Sequence, residues 1–211
     1  MQRYIIMALS GMLMTGCATN APETQPTANA LPPAPVPEVV IGPYAEIQWA
    51  DGSLDVLQIS KSDGNLLSGS FESGCKWTAF SDGYGPSPSW EDCWGSTGTN
   101  KLTREGVLFP LEIGKSERWE VEGRNTDGGT WKTVRRCEVA ETVSVTVPAG
   151  TYDTYHVKCS DSWRSYSWYY SPELGHSVAS VNTHRSDPTR SRSWQLVKSL
   201  KNTSSEVPAS G

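Results

Sequence analysis

Residues 131–170 constrain this chain more than any other stretch. Val143, Val145 and Val147 alternate with Ser144 and Thr146, so one side of an extended strand is apolar and the other polar. Pro148, Ala149 and Gly150 interrupt the run. A second alternation follows, with Tyr155, Val157 and Cys159 on one side and Thr154, His156 and Lys158 on the other. Two such runs about a turn mark a long antiparallel hairpin, with Cys137 on one arm and Cys159 on the other.

The rest of the chain repeats the signal more weakly. Residues 44–49 alternate, Asp51-Gly52 suits a tight turn, and residues 54–59 return. Further strands are read at 66–71, 118–123, 176–181 and 194–200, while 74–100 reads as irregular. No segment holds a helical period. With 19 Gly, 14 Pro and nine Trp, the composition suits a turn-rich β protein. Short turns make neighbouring strands antiparallel. The expected fold is all-β: about nine strands in one strongly curved sheet, a half-barrel or barrel, with a two-sheet sandwich as the alternative. A net charge of −5 argues against nucleic acid or anionic lipid as the main partner.

Arg3 and the apolar run 4–14 form a leader too short to span a bilayer permanently. Met14, Thr15, Gly16 and Cys17 then resemble a bacterial lipobox. On that reading residues 1–16 are a lipoprotein signal peptide and Cys17 is the lipid attachment site, anchoring the chain in a membrane. Ala18 in place of Asp favours the outer membrane, with the folded part in the periplasm. Residues 17–40 carry six prolines and no aromatic. They read as a linker able to extend about 70 Å at roughly 3.1 Å per residue. The folded domain is expected over 41–200 and a flexible tail over 201–211.

Four cysteines remain in an exported chain, which points to disulfides. Cys75–Cys93 and Cys137–Cys159 are the expected pairs. The second depends on register. A three-residue loop, with Val147 opposite Thr151, leaves the two cysteines offset by two. A five-residue loop closed by Val145 and Thr151 puts them directly opposite, at the ~5 Å a disulfide needs. The longer loop is therefore expected.

No catalytic residue, metal site or cofactor emerges. Gly175-His176-Ser177-Val178-Ala179 has the outline of a nucleophile elbow but lacks the strand and helix that an elbow requires. His156, His176 and His184 show no ligand spacing and are expected at the surface. The C-x₂-C pattern of zinc sites is missing. The stronger signal is aromatic. Trp77, Trp90 and Trp94 lie in or beside the loop between Cys75 and Cys93, where they would form either stacking platforms for a glycan or a small core of their own. Tyr166, Trp168 and Tyr170 share one face of the next strand and would line either a ligand cavity or the sheet core.

The motifs V-T-V-P-A-G-T-Y at 145–152 and S-W-Y-Y-S-P-E-L-G at 167–175, with F-P-L at 109–111 and Gly114-Lys115, resemble the TapB-like family of uncharacterised bacterial periplasmic proteins. The resemblance covers roughly 105–182. It implies a curved antiparallel sheet, more remotely similar to the half-barrels of the lipoprotein carrier and receptor LolA and LolB. Those hold acyl chains, although this chain has no evident lid helices. The expectation is a non-catalytic, membrane-anchored binding module for an apolar or amphipathic ligand or an envelope component. A glycan- or peptidoglycan-binding module is the alternative, and a hydrolase with a site invisible in the sequence is the third.

Overall fold

The computed structural model describes residues 21–27, 30–93 and 95–201. The expected signal peptide, Cys17, Trp94 and all of the expected tail except Lys201 lie outside these residues. Thirteen strands form one antiparallel sheet: β1 (Glu23–Pro26), β2 (Gly42–Trp49), β3 (Leu54–Asp63), β4 (Leu66–Phe71), β5 (Lys76–Phe80), β6 (Ser89–Cys93), β7 (Ser96–Gly106), β8 (Ser116–Asn125), β9 (Thr130–Val147), β10 (Gly150–Ser160), β11 (Arg164–Ser171), β12 (His176–His184) and β13 (Arg192–Ser199). Strands β9 to β13 run on through β2 to β8, and β8 pairs back onto β9. Twelve strands thus close into a barrel, and β1 is added beside β9. The barrel class agrees with the expectation, but the strand count is higher. Strands β5, β6 and β7 occupy the stretch read as irregular, and β1 lies in the presumed linker.

The hairpin is tighter than expected. Val147 faces Gly150, so the loop is only Pro148 and Ala149, and Gly150 holds a φ of 138° that L side chains rarely adopt. Cys137 nevertheless lies opposite Cys159, and the two are bonded with their Cα atoms 4.0 Å apart. The shift comes from a bulge. His156 pairs with Glu141 but Val157 pairs with Val139, leaving Ala140 as an extra residue on β9. The cysteine pairing holds, and the five-residue loop proposed to produce it is replaced by this bulge.

The bulge also corrects the reading of one apolar face. His156 and Val157 are successive residues, so their partners Glu141 and Val139 lie on opposite faces. Cys137 and Val139 join a core with Leu108, Phe109, Leu111, Tyr155 and Tyr170. Val143, Val145 and Val147 join a second core with Ala45, Ile47, Val178 and Leu196, from β2, β12 and β13. The Ala149 N–H donates to Leu196 O at 3.0 Å, holding the hairpin tip on β13.

Parts of the segment expected to be a spacer are folded onto the barrel. Glu23–Pro26 pairs with residues 143–146 of β9. Ala34 is 1% exposed and exchanges two backbone hydrogen bonds with Leu111, at 3.1 and 2.7 Å. The Tyr155 hydroxyl donates to the carbonyls of Leu31 and Pro32, at 3.0 and 2.8 Å. Proline is tolerated here because β1 is an outer strand whose far side needs no ladder donor.

Candidate functional site

Cys75 is bonded to Cys93, with Cα atoms 4.4 Å apart, and the intervening loop does not stand out as an aromatic platform. Trp77 faces Trp90 across β5 and β6, on the same side of the sheet as the buried Trp119 and Val121. Each ring lies on a glycine of the next strand. A Cβ at Gly69 would sit 2.4 Å from the Trp77 ring, and one at Gly98 would sit 2.3 Å from the Trp90 ring. Trp131 covers Gly123 in the same way, at 2.0 Å. These glycines are therefore sockets for the rings. Both Trp77 and Trp90 are half-buried, and Trp90 Nε1 donates to Ser96 Oγ at 3.2 Å.

The tip of the same loop enters the barrel. Gly83, Tyr84 and Gly85 pass between Glu117 and Trp119, so close that a Cβ at Gly83 would meet the Glu117 carboxylate at 2.8 Å and one at Gly85 the Trp119 ring at 2.5 Å. Glu117 accepts the Tyr84 N–H at 2.8 Å and pairs with Arg104 Nη2 at 2.7 Å. Arg104 Nη1 reaches Asp82 at 3.0 Å, and the guanidinium lies over Trp119. A buried carboxylate of this kind is tolerated because Oε1 accepts a backbone N–H and Oε2 is ion-paired with Arg104. The Tyr84 ring lies against Phe109 and Trp168, and its hydroxyl is 3.1 Å from Ser177 Oγ. Burial pushes the Tyr84 phenol well above its ordinary range.

Tyr166, Trp168 and Tyr170 do share one face, but they pack into the core. Tyr170 meets Phe109 edge-on, and Trp168 contacts Tyr84 and Trp194. Tyr166 lies under the Arg135 guanidinium and donates to Asp161 at 3.1 Å, while Arg135 pairs with Asp161 at 3.0 Å. Burial alone would raise the Asp161 carboxyl. Arg135 and the N–H groups of Trp163 and Arg164 outweigh it and hold the group below its usual range. Burial raises Tyr166 and Tyr170, each to about 12.

The histidines are buried, contrary to expectation. His156 stacks on Tyr169, with Nδ1 3.1 Å from Glu141 Oε1. Lys158 donates to the same oxygen at 2.9 Å. His176 sits between Ser177 O and Ser199 Oγ, each at 2.9 Å, which assigns the proton to Nδ1. Burial lowers the pKa of both rings. His184 Nδ1 accepts the N–H groups of Ser186 and Asp187, at 3.4 and 3.1 Å. Ser177 lies on an antiparallel strand, and no histidine nitrogen is directed at its hydroxyl.

Two shallow, open hollows lie on the opposite face of the sheet from Trp119, over β7, β8 and β9. One, of about 540 Å³, is lined by Lys101, Thr103, Glu120, Glu122, Lys132 and Val134. The other, of about 660 Å³, adds Thr99, Arg124 and Thr130 and shares Lys101, Glu122 and Lys132 with the first. Register explains this ladder. Lys101 faces Glu122, which faces Lys132 with a 2.7 Å ion pair. Sequence reasoning missed this face and the Arg104–Glu117 pair. The usable signal was Glu117, a charged residue with the same parity as Trp119 and Val121.

No family model matches the chain, and no curated protein matches it. Two solved structures are similar. One is described as the hypothetical lipoprotein YmcC from Escherichia coli, at 8% identity and a TM-score of 0.48, covering 77% of this chain and 90% of that one. The other is described as an exported protein with a YmcC-like fold from Bacteroides fragilis. It is 11% identical with a TM-score of 0.38, covering 78% of this chain and 98% of that one.

Proposed function

We propose that this is a lipid-anchored protein of the bacterial cell envelope whose barrel acts without catalysis, docking a polar envelope component on the face formed by β7, β8 and β9. The observation that carries the reading is the pair of adjoining hollows lined by Lys101, Glu122 and Lys132. Cys17 in its lipobox supports the anchor, and Ala18 supports the outer membrane and a periplasmic domain. The TapB-like motifs at 105–182 fit the same compartment. The acyl-chain version suggested by LolA and LolB has less support, because Tyr84, Trp119, Trp168 and the Cys137–Cys159 bridge occupy the space a lipid would need. A glycan held by Trp77 and Trp90 would first have to lift both rings from their glycines. A hydrolase would have to recruit Ser177 and His176, whose polar atoms already have partners.

The test is crosslinking in cells. A photoreactive residue at Thr103 or Lys132 should capture an envelope component that the same residue at Gln58, an exposed position on β3, does not. Equal capture at Gln58, or none at Thr103 and Lys132, rejects the docking face.

A further inference from the structure

We infer that β1 straps the barrel directly onto the bilayer, with β1 and the tip of the β9–β10 hairpin at the lipid headgroups and the turn at 125–129 pointing away. This rests on the reading of Cys17 as the lipid attachment site. Only residues 18–22 separate Cys17 from Glu23. Fully extended at about 3.5 Å per residue, that piece reaches about 20 Å. Glu23 faces Thr146, which faces Thr151 across the hairpin. Two strand spacings add about 10 Å, so Thr151 lies within about 30 Å of the lipidated sulfur even with the tether taut. From Thr146 back to Thr130, β9 spans about 50 Å if straight, which carries the 125–129 turn far beyond that reach.

The chemistry of the tip suits the contact. No charged residue occurs from Thr142 to Tyr152, nor from Ala18 to Pro22, so an approach to the headgroups desolvates no ion until Glu23. Pro148, Gly150 and Thr151 are exposed there. The occupant of this surface is the bilayer that holds the chain's own anchor. A spacer reaching about 70 Å would impose no orientation at all. The pairing of Glu23–Pro26 with β9 removes that freedom.

Energy transfer tests this on the acylated full chain. A donor dye is placed at Thr151→Cys or at Asp127→Cys, in phosphatidylethanolamine–phosphatidylglycerol vesicles containing a headgroup-labelled acceptor. Transfer from position 151 should exceed that from 127 by about twofold or more, given the separation above. It should fall when Thr24→Pro and Gln25→Pro release β1. Equal transfer from the two positions, or more from 127, overturns the inference while the vesicle-bound protein keeps its anchor. A chain that carries no acyl group on Cys17 by mass spectrometry overturns the inference and the anchor reading together.

Discussion

Strand β9 has two halves that look alike and do different things. Before Ala140 it runs between β8 and β10, and its buried residues Cys137 and Val139 lie under Leu108, Phe109 and Leu111. After Ala140 it runs between β10 and β1, and Val143, Val145 and Val147 pack on residues of β2, β12 and β13. Both halves bury odd-numbered residues, yet on opposite faces. Alternation shows that a strand has a buried side; one inserted residue decides which side of the sheet that is. The first half closes the barrel, and the second seals the hairpin onto β13.

The sharpest way to break this contrast is to insert an alanine between His156 and Val157, which gives Ala140 a partner and abolishes the bulge. Cys137 and Val143 then fall on the same face of β9, so one of the two cores is lost, whereas deleting Ala140 leaves Val139 and Glu141 opposite Val157 and His156 and keeps both. We expect the insertion to destabilise by at least about 4 kcal/mol in urea unfolding. A native Cys137–Cys159 bridge at unchanged Tm would show that the bulge does not separate the halves. Removing the bridge itself, as Cys137→Ala with Cys159→Ala, should cost about 3 kcal/mol in urea unfolding, as expected for a closed loop of this size. Val145→Ala, at a fully buried site in the second half, should cost about 2 kcal/mol. Hydrogen exchange should then speed up in β1 and residues 141–147 but not in residues 130–139; uniform acceleration would mean that the halves open together.

The smallest effect concerns pH. His156 and His176 are held neutral by burial, with pKa values lowered in the folded state. The unfolded chain binds protons near pH 6.5, before the folded chain does, so stability is full above that pH and falls as the pH drops toward the lowered folded values. Each ring contributes at most about 1.4 kcal/mol per pH unit in that window. Thermal melts from pH 7.5 to 5 should show the decline, and His156→Gln should flatten part of it. A Tm that rises on acidification would contradict the buried, neutral assignment.

Much of the architecture is readable from residues alone. The Val-Ser-Val-Thr-Val run, the two cysteine pairs and the turn glycines carry the hairpin and the curved sheet, because they encode local periodicity. Strands β5 to β7 escape notice for a physical reason. Their inward positions alternate Trp with Gly across strands, as in Trp77 with Gly69 and Trp90 with Gly98, so no single strand shows a Val- or Ile-rich stripe. Ala140 gives no local sign that it is the extra residue. β1 is invisible because its sequence, Glu-Thr-Gln-Pro, has no strand character of its own; its partner lies more than a hundred residues away. The charged ladder of Lys101, Glu122 and Lys132 is likewise a product of register, assembled from three strands.

β1 has one more consequence, for how the protein can be produced and handled. β8 stops pairing with β9 at Glu138, so among the described residues the Val-Ser-Val-Thr-Val edge beyond it is covered by Glu23–Pro26 alone. An uncharged, β-branched edge with open backbone donors and acceptors is a template for other chains. The four residues of β1 therefore act as a built-in guard against self-association. A version trimmed to begin at residue 41 would carry a complete barrel and an adhesive margin.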